Sequence, residues 1–141
     1  MEAVHILLVE DNEGDVVLTL DAFEESKILT NISVTKNGEE ALDFLFQRGK
    51  HQDAQRPDLI LLDINLPIYN GHEVLQEIKT DPNLKRIPVI MLTTSSSRKD
   101  IDQAYEHHAN SYITKPMEME DFLKAIIKIE EFWLQLVRLP N

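Results

Sequence analysis

The chain has 141 residues, no cysteine, and 25 acids against 14 bases, for a net charge of -11. That length suits one domain with a sizeable core. The acid excess argues against nucleic acid and anionic lipid as partners, and the missing cysteine excludes disulfides, zinc-thiolate sites and thiol catalysis. No apolar run approaches the roughly 20 residues needed to span a bilayer. Met1-Glu2-Ala3-Val4-His5 has no basic n-region, so no signal peptide is expected and the simplest location is the cytoplasm. Residues 1–63 hold 14 of the 25 acids.

Short apolar runs alternate with longer helical patterns. Val4 to Val9 reads as a first strand, stopped by Glu10-Asp11-Asn12. Val16, Leu20 and Phe23 mark the buried face of a first helix. Ile32 to Thr35 is a short second strand, and Asn37-Gly38 is a turn signal. Ala41, Leu42 and Leu45 face inward on a second helix, and the polar segment Phe46 to Pro57 reads as a loop. Leu59-Ile60-Leu61-Leu62 is uniformly apolar, as a strand covered on both faces should be.

Val74, Leu75 and Ile78 predict a third helix, and Ile87 to Leu92 a fourth strand with Pro88 at its start, where a missing donor is tolerated. Asp100 to His108 is a fourth helix and Ser111-Tyr112-Ile113 a fifth strand. A long final helix runs from Met117 to about Arg138. His107 and His108 are adjacent on a helix, so they face different ways and read as solvated surface rather than a metal pair.

Five alternations of strand and helix imply a doubly wound α/β fold, with five parallel strands in the flavodoxin-like order 2-1-3-4-5. In such a sheet the site lies at the carboxyl ends of the strands. Glu10 and Asp11 follow the first strand, Asp63 the third, Thr93 and Thr94 the fourth, and Lys115-Pro116 the fifth. Three carboxylates together repel one another unless a hard cation sits among them, and Mg²⁺ fits an all-oxygen site of this kind. Asp63 is then a candidate carboxylate nucleophile for a phosphoryl group. Lys115 and the Thr93 hydroxyl are positioned to stabilise its oxygens.

These same residues carry a family likeness. Leu7-Leu8-Val9-Glu10-Asp11-Asn12, Asp58 to Asp63, Leu66-Pro67 with Gly71, Leu92-Thr93 and Thr114-Lys115-Pro116 resemble the receiver domain of bacterial two-component response regulators, over about residues 4–129. The resemblance implies Asp63 as phosphoacceptor and Glu10 and Asp11 as the acidic Mg²⁺ pair, with Mn²⁺ as a substitute. It implies that the Asn65 backbone carbonyl completes the metal shell. It implies Thr93 as switch hydroxyl, Tyr112 as rotameric aromatic, Lys115 as the phosphoryl-contacting lysine and Pro116 as a proline after a cis peptide. The pair here is Glu-Asp where many receivers have Asp-Asp, and Thr94 is bulkier than the residue commonest there, which would narrow access to the phosphoryl group.

The long loop Gln47–Arg56, the run Leu84 to Pro88 and the tail Phe132 to Pro140 look like the small response regulators of cyanobacterial and bacterial phytochrome histidine kinases. The implied partner is a sensor histidine kinase, of phytochrome type. Residues 1–129 are expected to be the receiver and 130–141 a helical extension of it, with no output domain. Phe122, Ile126, Ile129, Trp133 and Leu136 form a heptad seam, and Leu123, Ile127, Leu134 and Val137 a second stripe. Sixteen residues from Phe122 to Val137 span roughly 24 Å. Phe132, Trp133, Leu136 and Val137 would therefore overhang the sheet and pair in a homodimer with the fourth helix and fifth strand.

Three other readings compete. An aspartate-nucleophile phosphohydrolase would place its nucleophile after the first strand and carry a cap domain. A flavodoxin would need a phosphate loop where Glu10 to Glu13 stands. A phosphate-independent receiver-like binding module would not need the complete site set.

Overall fold

The structure is a computed structural model that describes residues 3–26, 29–115 and 118–137. Five parallel strands form one sheet in the order β2-β1-β3-β4-β5, as the alternation predicts. They are β1 (Val4–Val9), β2 (Thr30–Thr35), β3 (Leu59–Leu62), β4 (Val89–Thr93) and β5 (Ser111–Thr114). The helices are α1 (Glu13–Glu24), α2 (Gly38–Leu45), α3 (Gly71–Thr80), α4 (Arg98–Glu106) and α5 (Met119–Val137).

The apolar strands divide their side chains between two cores, because successive residues of a strand face opposite sides of the sheet. Leu7, Val9, Ile60, Leu62 and Met91 pack with Leu45 of α2, Val74, Leu75 and Ile78 of α3, and Ala104 of α4. Ile6, Leu8, Leu59, Leu61 and Leu92 pack with Phe23 of α1 and Ile126 and Ile129 of α5. In α5 the stripe that packs on the sheet is the one holding Ile126 and Ile129, while Ile127 of the other stripe stays exposed. The helix continues past residue 129 without a break.

Several elements differ from the sequence expectation. On α1 the fully buried positions are Thr19, Ala22 and Phe23, with Val16 and Leu20 only half-buried. Strand β2 starts two residues earlier, because Thr30 pairs with Val4. Strand β4 starts at Val89 rather than Ile87. Pro88 has no N–H to donate and sits just outside, its carbonyl accepting from the Ile60 amide at 3.0 Å.

Asn37-Gly38 is not a free turn. The Asn37 side chain caps α2 by accepting from the Glu40 amide at 2.7 Å, and Gly38 is the first helical residue. A Cβ on Gly38 would lie 2.2 Å from the Tyr69 carbonyl oxygen, so the close approach of two chain segments demands glycine. Helix α4 is capped by Ser97 and ends at Glu106. His107 and His108 therefore lie at and beyond its C-terminus, with His108 at φ 69°.

The polar loop after α2 is tied down rather than loose. It contains a 3₁₀ turn at Gly49–His51. Glu40 accepts from the Lys36 amide at 3.1 Å, faces His51 Nε2 at 3.1 Å and pairs with Lys50 at 2.9 Å. Partial burial would raise the Glu40 carboxyl, but these donors hold it down at about 2.

Candidate functional site

The carboxyl ends of β1, β3, β4 and β5 deliver the site. β1 runs into Glu10 and Asp11, β3 into Asp63, β4 ends on Thr93, and Lys115 directly follows β5. Glu10, Asp63, Thr93 and Lys115 are buried although polar, and Asp11 is exposed. Register explains the convergence: Val9 pairs with Leu62, Leu62 with Met91, and Thr93 with Thr114, so the residues beyond each strand emerge along one edge.

Carboxylate oxygens of Glu10, Asp11 and Asp63 all lie within 4.8 Å of one another. Backbone contacts hold two of them in place. Glu10 Oε2 accepts from the Asn12 amide at 3.1 Å, and Asp63 Oδ1 accepts from the Ile64 amide at 2.7 Å. Gly71, the first residue of α3, packs directly on this turn, where a Cβ would fall 2.2 Å from the Asp63 carbonyl oxygen.

The Lys115 ammonium lies among the acids. It pairs with Glu10 and reaches Asp15 Oδ2 at 3.0 Å and Asp63 Oδ2 at 3.4 Å. Burial pushes the Glu10 carboxyl up to about 7; the Asp63 charge adds to the rise and Lys115 opposes it. Burial alone would lower Lys115, but its bond to Glu10 and the charge of Asp63 hold the ammonium above its usual range. Both groups are buried, and among the described residues one ammonium serves Glu10, Asp15 and Asp63 together. An all-oxygen cluster short of positive charge fits a hard divalent ion. Exposed Asn65 lines a groove beside Asp11, with Asn70, His72, Ser97 and Asp100 further along it.

Thr93 and Tyr112 meet at a third residue. The Ser95 amide donates to Thr93 Oγ1 at 3.4 Å, and the Tyr112 hydroxyl donates to the Ser95 carbonyl at 2.7 Å. Burial pushes the Tyr112 phenol up, so it stays a donor. The Ser95 hydroxyl bonds Asp100 of α4 at 2.5 Å, and His72 Nε2 meets the other Asp100 oxygen at 3.0 Å. Ser95 foremost, then His72, hold the Asp100 carboxyl below the usual range. Among the described residues, buried His72 Nδ1 has no hydrogen-bond partner. Both switch candidates are thus wired through Ser95 to α4 and α3. Thr94 is exposed at the rim.

Sequence reasoning missed Asp15, Ser95, Asp100 and His72. Asp15 lies in the first turn of α1 and Asp100 in that of α4, where acids ordinarily complement the helix dipole, so nothing in the sequence set them apart. Pro116 lies outside the described residues, as do the side chains of Phe132, Trp133, Leu136 and Val137.

A family profile described as "Response regulator receiver domain" matches residues 6–127. The chain belongs to the response regulator receiver family. This receiver is 46% identical over 135 residues to the response regulator Rcp1 of a Synechocystis species, covering 96% of this chain and 92% of that protein. The crystal structure of the phosphorylated cyanobacterial phytochrome response regulator RcpA superposes on this receiver with a TM-score of 0.92 at 45% identity, covering 99% of this chain and all of that one. The Mn²⁺-bound form of Rcp1 superposes with a TM-score of 0.89 at 45% identity, covering 98% and 99% of the two chains. Among the described residues, no helix is long and apolar enough to cross a membrane.

Proposed function

We propose that this receiver accepts a phosphoryl group from a histidine kinase onto Asp63 and thereby switches a protein-interaction surface. The observation that carries this reading is the cluster itself: Asp63 lies within 4.8 Å of Glu10 and Asp11 and within 3.4 Å of the Lys115 ammonium. An Asp63 carboxylate oxygen attacks the phosphorus. The phosphorus–nitrogen bond to the donor imidazole breaks, and that nitrogen regains its lone pair. Lys115 neutralises charge on the equatorial oxygens and Thr93 donates its hydroxyl to one of them. The chain thus catalyses transfer to its own side chain, and water later removes the group.

Glu10, Asp11, Asp63 and the Asn65 backbone carbonyl would hold Mg²⁺, or Mn²⁺ in its place. When bound, the ion supplies charge stabilisation to the phosphoryl oxygens. The likeness to the phytochrome response regulators RcpA and Rcp1 favours a phytochrome-type kinase as donor, acting in the cytoplasm.

Phosphorylation shifts the receiver between two states that the phosphoryl group binds unequally. The Thr93 oxygen accepts from the Ser95 amide while its O–H is free to donate to the phosphoryl group, so a shift of Thr93 toward that group pulls on the Ser95 loop. Tyr112 and Asp100 are tied to this loop, so the changed surface is α4, β5 and α5. Tyr105 on α4 and Ile127 on α5 are exposed large apolar side chains consistent with pairing there. Sedimentation of the full chain at tens of micromolar is expected to show a dimer; monomer alone, with and without phosphoryl donor, removes the pairing.

The phosphoryl chemistry itself is tested with acetyl phosphate and Mg²⁺, followed by intact mass. One added phosphoryl group is the expected result. An unchanged mass would favour a receiver-like module that binds without phosphate.

A further inference from the structure

We propose that Asp15 is a positioning residue for the phosphoryl-transfer reaction: its carboxylate holds one donor of Lys115 on the α1 side and so restrains the ammonium from the Asp63 phosphoryl group. This rests on the reading of Asp63 as phosphoacceptor.

A lysine ammonium has three N–H donors and no more. Here three carboxylates draw on them and pull the ammonium in different directions, those of Glu10, Asp15 and Asp63. The longest of these contacts is to Asp63, at 3.4 Å, and the Asp15 contact is shorter, at 3.0 Å. Asp15 plays no part in the cluster of carboxylate oxygens suited to a metal ion, so cation binding does not account for it. Glu10 is almost completely buried and its second oxygen is held by the Asn12 amide, so it cannot retreat.

Asp15 differs from both. It is half-buried in the first turn of α1, and its amide is fixed by the Asn12 side chain at 2.9 Å. Its carboxylate can turn out to water when Lys115 leaves. Stabilising the start of α1 does not require an ion pair to the far side of the site, yet the Asp15 carboxylate makes one with Lys115 at 3.0 Å. The contact therefore sets how readily Lys115 moves. A phosphoryl group on Asp63 takes over the donor that reaches Asp63 at 3.4 Å, but drawing the ammonium closer stretches the 3.0 Å contact to Asp15, and the group meets the repulsion of a further negative charge nearby. Neutralising Asp15 removes both obstacles.

The test compares the full chain with Asp15→Asn and Asp15→Glu, using acetyl phosphate at saturating Mg²⁺ and intact mass against time. Asp15→Asn is expected to take up the phosphoryl group about fivefold faster, a change of roughly 1 kcal/mol in barrier. Asp15→Glu keeps the charge and is expected to keep the slower rate. In the metal-free protein, the ¹⁵N resonance of Lys115 Nζ is expected to move in Asp15→Asn and far less in Asp15→Glu. Equal or slower uptake by Asp15→Asn, or a Lys115 resonance indifferent to Asp15, overturns the proposal while leaving Asp63 as acceptor. No uptake by the unaltered chain overturns the Asp63 reading instead, and this inference with it.

Discussion

Asp63→Asn is expected to abolish phosphoryl uptake from acetyl phosphate and to raise the stability of the metal-free protein. The amide removes the nucleophilic oxygen pair and one of the buried charges, yet it keeps size and an oxygen that can accept from the Ile64 amide at 2.7 Å. Lys115 loses only its longest contact, at 3.4 Å, and retains Glu10 and Asp15. Like charges are thereby thinned around a single cation, which is worth on the order of 1 kcal/mol at a partly screened site. Intact mass reads the first effect and denaturant melting without metal the second. Persistent single phosphorylation of Asp63→Asn would place the acceptor elsewhere.

Lys115→Met is expected to destabilise the metal-free protein by about 3 kcal/mol at pH 8, because it leaves the buried Glu10 and Asp63 without their cation. The cost should be markedly smaller at pH 5. In the unaltered protein the Glu10 carboxyl is raised from 4.5 to about 7, chiefly by burial. The folded state therefore binds more protons than the unfolded state between those values, and stability falls as pH rises through that window. Lys115 is raised above 10.5, so its own contribution is complete below that pH and constant across the Glu10 window. Removing Lys115 removes an influence that lowers Glu10, which widens the window upward and steepens the loss toward pH 8. Mg²⁺ supplies positive charge to the same carboxylates and should recover part of the stability at pH 8. A Lys115→Met penalty equal at pH 5 and pH 8 would show that the charge cluster does not govern stability.

The fold was legible because its signals are local. The uniformly apolar run Leu59–Leu62 suits a strand covered on both faces, and all four of its residues are buried on one side of the sheet or the other. The strand-end residues Glu10, Asp11, Asp63, Thr93 and Lys115 were legible for a related reason. The order of a parallel sheet brings the end of each strand to one edge, so counting strands is enough to gather them. Errors fell at element boundaries, where a cap or a neighbouring chain decides. Asn37-Gly38 has the composition of a turn, but the approach of Tyr69 makes it the start of α2.

What the sequence determined by itself is the alternation of elements, the sheet order that follows from it, and the acids, hydroxyl and lysine that the order collects. These depend on side-chain periodicity and on which residue follows each strand. Only the tertiary structure decided which partners those groups choose. Lys115 meets Asp15 across 100 residues of chain, and Ser95 joins Thr93, Tyr112 and Asp100 into one connection. Hydrogen bonds of this kind depend on distances of a few ångströms between separate elements, and no spacing along the chain encodes them.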